Sequence, residues 1–267
     1  MKNDDICFTH ILPRLNRADL KFLYEVNSET RKLIKRSSRV GDLKKKFKVY
    51  EMSSISTLEV AWENRSLWLG YLYGETYFCR EVAWTNKLEL LKWAREEKKC
   101  KWDEGTINAA ARQGNLEMVK YCVANECPID GRACANAAGN GHLECLKYLR
   151  EEGKAPWDSG TAECAAAYGH LHILEYLVER KYNGYDERAC ENAAMNGHLD
   201  CLKYLRETAK APWNSGALGG EESLGTHENN HPECVQYLLD NSCPLPSGWR
   251  YEDGELYSES ESESEPE

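Results

Sequence analysis

The sequence lacks the features that mark membrane proteins and the common classes of enzyme. No apolar run approaches the length of a membrane-spanning helix, and no apolar leader stands at the N-terminus. There is no Gly-rich phosphate loop, no nucleophile elbow and no H-E-x-x-H segment, and no two cysteines have the C-x-x-C spacing of zinc sites. These absences predict a protein outside the membrane with no catalytic activity, no metal and no other cofactor.

Cysteine, in contrast, is abundant, with twelve residues in a chain of 267. Without a secretory leader, so many thiols predict a reducing compartment, the cytoplasm or the nucleus, and no disulfide framework. Three of them, Cys145, Cys201 and Cys234, recur at one position of a repeated pattern in which Met118 and Ile173 replace them. Cysteine is therefore predicted to act there as a small hydrophobic side chain.

Negative charge is concentrated at one end of the chain. The formal net charge is −10, but residues 251–267 contain eight acidic residues and no basic one, which leaves −2 for the remainder. The body of the chain therefore gives no reason to expect nucleic acid or an anionic membrane as a partner. Residues 251–267, which end in SESESESEPE, are predicted to be a disordered acidic tail.

A unit of 27 or 28 residues is repeated through the middle of the chain, anchored by Gly114, Gly141, Gly169 and Gly197. An alanine-rich stretch precedes each glycine, and apolar residues spaced by three and four follow it. Each unit is therefore predicted to be a helix, a tight turn, a second helix and a connector. Such hairpins bury their apolar faces only when they are stacked, which predicts a solenoid.

Two recurring polar residues fit structural roles in this unit. An aspartate ends four of the connectors and is predicted to cap the next turn or helix, at Asp103, Asp130, Asp158 and Asp186. A histidine follows three of the glycines and is predicted to stabilise the turn, at His142, His170 and His198. Because each set occupies one position in successive units, it forms a row along the stack and not a convergent catalytic or metal site.

The repeat loses its register after Asn214. Several glycines stand where the alanine-rich helix should be, at Gly216, Gly219, Gly220 and Gly225. No stable first helix is expected across residues 216–226, because glycine disfavours helix interiors. Residues 231–239 restore the pattern of a second helix.

Residues 161–171, followed by Leu174, Tyr176 and Leu177, resemble the ankyrin repeat, whose pattern is T-P-L-H-x-A-A-x-x-G-H before a helix with paired aliphatic residues. The sequence pattern GHLECLKYLRE…PWD is similar to the short ankyrin repeats of unicellular algae and large DNA viruses. The resemblance implies an all-α fold, with an ankyrin-type solenoid of about six to seven units over residues 41–250, the first and last degenerate.

The same resemblance implies a non-catalytic module that binds a partner protein of unknown identity on the concave face of the solenoid, with the chain itself a monomer. The expected contact residues vary between units or offer a large side chain, and they are Arg112, Gln113, Asn140, Trp157, Glu163, Tyr168, Glu191, Met195 and Asn196. Trp157 recurs with Trp102 and Trp213 at one connector position. Packing between adjacent units is therefore the alternative for Trp157.

Residues 1–40 do not follow the repeat, and their leucine spacing predicts two or three short helices. The order I-L-x-x-L, D-L-x-x-L-x-x-V and R-x-L-I resembles an F-box, the segment that docks on the adaptor of cullin-type ubiquitin ligases. The resemblance implies docking through Ile11, Leu12, Leu15, Asp19, Leu20, Leu23 and Val26. Two interpretations stay open: a substrate receptor of such a ligase, or a helical cap on the end of the solenoid.

Overall fold

The structure is a computed structural model that describes residues 12–15, 19–20, 23–24, 28–38, 41, 48–63, 74–218, 231–252 and 254–258. The chain divides into two compact units, Met1–Ile129 and Asp130–Glu267. Regular structure in both units is predominantly helical, which confirms the predicted fold class. The exception among the described residues is one pair of short strands near the C-terminus.

The first unit consists of short helical segments followed by two helical hairpins. Its elements are a 3₁₀ turn at Leu12–Arg14, α1 at Ser28–Arg36, a 3₁₀ turn at Val49–Glu51, α2 at Ile55–Glu63, α3 at Gly74–Ala83, α4 at Leu88–Lys92 with a π-helical turn at Trp93–Glu97, α5 at Glu104–Arg112 and α6 at Leu116–Ala124. The hairpins are α3 with α4 and α5 with α6. Helix α3 packs beside α5 and also against the 3₁₀ turn at Val49–Glu51.

In its described residues, the second unit stacks three complete hairpins and part of a fourth. Its helical elements are α7 at Gly131–Gly139, α8 at Leu143–Glu151, α9 at Ser159–Ala167, α10 at Leu171–Glu179, α11 at Glu187–Met195, α12 at Leu199–Glu207, a 3₁₀ turn at Ser215–Leu218 and α13 at Pro232–Asp240. The first helices α7, α9 and α11 pack side by side, and the 3₁₀ turn packs against α11. This is the stack of hairpins that the repeat predicts.

Each first helix of a complete hairpin ends in a turn that needs a left-handed residue. The backbone angle φ lies between +69° and +73° at the four anchor glycines and is +60° at Asn86, one unit earlier. The amide of His142 donates to the carbonyl of Ala137 at 2.9 Å and closes the turn. The predicted helix stop is confirmed, and glycine suits it because it has no Cβ.

A second left-handed residue ends each second helix, and the glycine pattern does not predict it. Values of φ between +51° and +58° occur at Lys99, Glu126, Lys154, Lys181, Lys210 and Ser242. After Lys154, the amide of Ala155 donates to the carbonyl of Leu149 at 2.9 Å. This closed turn offsets the Cβ strain of a left-handed residue, which costs about 1–2 kcal/mol.

Small residues on the first helices and larger ones on the second helices form the core. Ala133 and Ala162 are fully buried where the first helices approach each other closely, and Leu146 is fully buried on α8. Cys145 and Cys201 are only 2% exposed. The prediction that these cysteines act as small hydrophobic side chains is therefore confirmed.

The C-terminal segment differs from the prediction in one respect. Residues 251–252 and 255–258, assigned to the disordered tail, belong to an antiparallel hairpin of β1 (Trp249–Glu252) and β2 (Glu255–Ser258). Gly254, between the strands, has a φ of +87°, which favours glycine. The Gln236 amide on α13 donates to the Tyr251 hydroxyl at 3.1 Å and holds the hairpin. Residues 219–230 and 259–267, which include most of the glycine-rich segment and the Ser/Glu run, lie outside the described residues.

Candidate functional site

One face of α7, α9 and α11 in the second unit is open to solvent, and most of its side chains are small or polar. We call it the first-helix surface, formed by Arg132, Ala135, Asn136, Asn140, Gly160, Glu163, Cys164, Ala167, Tyr168, Arg188, Glu191, Asn192, Met195 and Asn196. Two large apolar side chains lie at its C-terminal end, Tyr168 with 65% and Met195 with 61% exposure. The other exposed large apolar residues in the described part of the chain are Tyr50 and Ile55, both in the first unit.

The fold itself does not require large apolar residues at these two positions. The equivalents of Tyr168 in other units are polar, namely Thr85, Gln113, Asn140 and Asn196, and those of Met195 are Trp84, Arg112, Gly139 and Ala167, of which only Trp84 is large and apolar. The Tyr168 ring lies against α7, since a Cβ built on Gly139 would be 3.5 Å from it. The first-helix surface therefore has an apolar patch that the repeat alone does not explain.

The two predicted asparagines are exposed but already hydrogen-bonded. The side-chain amide of Asn140 donates to the carbonyl of Asn136 at 2.9 Å, and that of Asn196 donates to the carbonyl of Asn192 at 2.8 Å. Each amide thus satisfies an end carbonyl of its own helix. Their side-chain oxygens remain the acceptors that a partner could use.

Glu163 and Glu191 occupy one position on neighbouring first helices, and both are half-buried. Glu191 precedes Met195 by one helical turn, and Glu163 precedes Tyr168 by five residues. The surface therefore presents two carboxylates beside its apolar patch.

Arg112 and Gln113, the other two predicted contact residues of the first helices, belong to the first unit. The Arg112 guanidinium carbon lies 5.3 Å from the centre of the Trp84 ring, a cation–π contact. Gln113 is half-buried and lines a cavity together with Tyr50, Glu81 and Trp84. Sequence reasoning did not single out these last three residues.

Trp157 packs between hairpins, as its alternative interpretation states. The Arg150 guanidinium carbon lies 4.5 Å from its ring centre, and Tyr176 and Tyr182 meet the ring edge-on at 6.4 and 5.3 Å between centroids. The arrangement of arginine, tryptophan and tyrosine recurs at Arg95, Trp102 and Tyr121, and at Arg206, Trp213 and Tyr237. The role of Trp157 in partner binding stays a prediction, because its half-buried ring is already used in packing.

The sequence contains a spacing pattern that indicates this packing. An Arg-Glu dipeptide begins seven residues before each of these tryptophans. In the second unit, Arg150 donates to the carbonyl of Ala155 at 3.0 Å, and the Tyr176 hydroxyl donates to Glu151 at 3.3 Å. The arginine thus forms a hydrogen bond with the connector that follows its own helix, while the glutamate forms one with the second helix of the next hairpin.

His170 and His198 lie over the turn of the preceding hairpin. The His170 Nε2 atom is 3.2 Å from the carbonyl oxygen of Gly139, and a Cβ built on Gly141 would be 2.9 Å from the His170 ring. Burial lowers the pKa of His170, so its ring is neutral at pH 7. The predicted structural role of this histidine is confirmed.

Three of the four predicted aspartate caps are confirmed. Asp103, Asp130 and Asp186 each accept a hydrogen bond from the amide two residues later, at 3.0, 3.1 and 3.2 Å. The prediction is wrong for Asp158, whose side chain caps no amide. Its carboxylate instead fills the space beside Gly131, where a Cβ would come within 2.9 Å of Oδ2.

The described cysteines are free thiols. Burial raises the pKa of Cys145 and Cys201 to about 11 and that of Cys134 and Cys190 to about 12. These thiols are therefore protonated and weakly nucleophilic at neutral pH. Within the described ranges, no group of three or more His, Cys, Asp or Glu side chains is placed to hold a metal ion.

The N-terminal segment has a small core formed by Leu12, Leu20 and Ile34, with Leu15 and Leu23 partly buried around it. Of the predicted docking residues, Leu12 and Leu20 are thus inside this core and not on the surface. Short helical segments must bury their own leucines to gain stability. Leu15 and Leu23 remain half-exposed.

Three further predicted docking residues complete this set. Asp19 is half-buried, and its carboxylate accepts a hydrogen bond from the Ser53 hydroxyl at 2.7 Å. Ile11 and Val26 lie outside the described residues. The docking role of the whole set stays a prediction.

Comparison with known proteins identifies one family. A sequence model of ankyrin repeats (many copies) matches residues 107–150 and residues 162–206, and the second segment contains both Tyr168 and Met195. No curated protein matches the chain. In the part of the chain that the structure describes, no helix is both long and apolar enough to cross a bilayer.

Proposed function

This chain is an ankyrin-repeat protein, and from that premise we propose that it binds a partner protein through the first-helix surface of its second unit and has no catalytic activity of its own. Ankyrin repeats are protein–protein interaction modules. The observation that carries the proposal is the exposure of Tyr168 and Met195, at 65% and 61%, where the repeat needs no large apolar side chain. Exposed apolar patches rimmed by polar residues are typical of interaction sites.

The chemistry of the surface suggests what the partner segment offers. Tyr168 and Met195 provide an aromatic anchor and an adaptable thioether side chain, both of which are enriched at interface centres. Glu163 and Glu191 lie half-buried on the same helices. We therefore expect a segment with apolar side chains for the patch and basic residues beside them. The free thiols fit a partner in the cytoplasm or the nucleus.

The proposal is tested by measuring partner binding to the double variant Tyr168→Ala, Met195→Ala. Proteins captured by the wild-type chain are identified by mass spectrometry, purified and titrated against each variant. We expect affinity to fall at least tenfold, because truncation of one central anchor costs about 2 kcal/mol or more. Both side chains are exposed, so stability is expected to change by less than about 1 kcal/mol.

Ile55→Ala provides the matched control, because Ile55 is a large apolar residue with 42% exposure in the first unit. This variant is expected to bind like the wild type. The proposal fails if the double variant binds the purified partner as tightly as the control does.

A second candidate function, substrate receptor of a cullin-type ligase, rests on the N-terminal segment. The observation that favours it is the separate core of Leu12, Leu20 and Ile34, with Leu15 and Leu23 half-exposed at its edge. A small helical segment with its own core and partly buried leucines at its edge offers a docking surface that is independent of the repeats.

Co-purification with a ligase adaptor tests this second function in three forms of the chain. We expect the adaptor to be retained by the full chain and by the Tyr168→Ala, Met195→Ala variant, and to be lost when residues 1–40 are deleted. A thermal melt of the deleted form establishes that its repeats remain folded. Failure of the full chain to retain any adaptor would reject this candidate and leave the first proposal untouched.

A further inference from the structure

The first unit contains a cavity of about 440 Å³ lined by Tyr50, Glu81, Trp84 and Gln113. Its volume is in the range of sites that hold a small ligand or a single large side chain. Two aromatic rings, one carboxylate and one amide are an unusual lining for a gap in a repeat stack. Tyr50 comes from the 3₁₀ turn at Val49–Glu51, which precedes the regular repeats.

Glu81 is the least expected residue in this lining. It is 7% exposed on α3, and burial raises the pKa of its carboxyl group, while the charge of Arg80, a hydrogen bond with Tyr77 and the charge of Lys48 oppose that rise. The equivalent residues of the later first helices are uncharged, namely Ala109, Asn136, Cys164 and Asn192. The hairpin stack therefore does not need a carboxylate here, and a buried carboxylate destabilises a fold unless a cation or hydrogen bonds compensate it.

A cation already lies beside each aromatic ring of the cavity. The Lys48 ammonium nitrogen lies 5.1 Å from the Tyr50 ring centre and donates to the Tyr50 hydroxyl at 2.6 Å. Arg112 lies 5.3 Å from the Trp84 ring centre. Because its hydroxyl contact is so short, the Lys48 ammonium lies beyond the hydroxyl of Tyr50 and close to the ring plane, not over a face of the ring. The cavity thus joins two aromatic rings to a desolvated negative charge, the combination that binds ammonium groups.

We propose that this cavity binds the ammonium group of a lysine side chain from a partner protein, with Tyr50 and Trp84 contacting the side chain and Glu81 supplying the opposite charge. An ammonium group is compact, so rings and a carboxylate can surround it on several sides. Gln113 can accept one of its hydrogen bonds through the side-chain carbonyl. The site lies in the first unit and involves no residue of the first-helix surface, so it stands or falls separately from the proposed function.

Titration of the full chain with N-acetyl-lysine-methylamide tests the proposal. The readout is the indole N–H signal of Trp84 in the NMR spectrum, assigned with the Trp84→Phe variant. We expect a saturable shift with a Kd on the order of 1–10 mM, as befits a single side chain. The uncharged norleucine analogue is expected to cause no shift, and the arginine analogue is expected to bind more weakly than the lysine analogue.

Matched substitutions separate the cavity from general charge effects. Glu81→Gln keeps the shape and removes the charge, and is expected to weaken binding at least fivefold. Glu89→Gln removes an exposed carboxylate of the neighbouring helix α4 and is expected to have no effect. Lys48→Met removes a competing cation and is expected to preserve or tighten binding.

Three results would overturn the proposal: no shift of the Trp84 signal at 50 mM probe (about five times the weakest expected Kd), equal binding of the norleucine or arginine analogue, or equal weakening by Glu81→Gln and Glu89→Gln. The Tyr168→Ala, Met195→Ala variant should bind the lysine probe as the wild type does. A shift lost in that variant would also contradict the assignment, because the cavity contains neither residue.

Discussion

Replacing Gly169 with alanine is expected to lower the free energy of unfolding by about 3 kcal/mol. Part of the loss, about 1–2 kcal/mol, comes from placing an L-residue at a φ of +72°. The rest comes from collision, because the new Cβ would lie 2.6 Å from Nδ1 of His198 on the next hairpin. Relief of such overpacking requires the ring to move and costs about 1–3 kcal/mol. Urea unfolding at pH 7 measures the difference.

A double-mutant cycle separates the two causes. The His198→Ala variant lacks the imidazole ring. In that background, Gly169→Ala is expected to lower the free energy of unfolding only by the strain of an L-residue at positive φ, about 1–2 kcal/mol. Gly160→Ala is the matched control, since Gly160 lies in α9 at an ordinary φ. Its new Cβ would have Asp158 Oδ1 as its nearest neighbour, at 3.1 Å. If Gly169→Ala costs no more than Gly160→Ala, the left-handed turn is not needed for stability.

The turns illustrate which parts of the fold the sequence predicts. Each anchor glycine carries its own local signal, because a left-handed residue after an alanine-rich helix is nearly always glycine or asparagine. The second left-handed residue carries no such signal, since Lys154 and Lys181 look like ordinary solvated lysines. Their conformation is closed by backbone hydrogen bonds, such as that from the Ala155 amide to the Leu149 carbonyl, which require no particular side chain.

The candidate sites divide in the same way. Tyr168 and Met195 could be predicted to be exposed, because the repeat register places them at the end of a first helix. The cavity beside Glu81 could not, because Tyr50 belongs to a turn outside the repeat and its position depends on packing against α3. The packing role of Trp157 could not be established from the sequence alone, because its arginine and tyrosine neighbours come into contact with it only when the hairpins are stacked.

The stability of the second unit is expected to fall steeply between pH 9 and 11. Burial raises the pKa of Cys134 and Cys190 to about 12 and that of Cys145, Cys201 and Cys243 to about 11, from an ordinary value of 9.0. The unfolded chain therefore loses these protons first, and the folded state binds more protons throughout this range. Stability that is fully present below pH 9 is lost as the pH rises towards the folded-state values.

Each such thiol lowers the free energy of unfolding by up to about 1.4 kcal/mol per pH unit, so the five together lower it by up to about 7 kcal/mol per pH unit. The typical total free energy of unfolding of a protein is about 5–15 kcal/mol. Urea unfolding with a reductant at pH 7, 9, 10 and 11 measures the slope. Buried tyrosines add to it, so the comparison variant is Cys145→Ala, Cys201→Ala, which keeps every tyrosine. Its slope is expected to be shallower by about 2–3 kcal/mol per pH unit. An unchanged slope would mean that these two thiols titrate as they do in water, which is incompatible with their 2% exposure in the core.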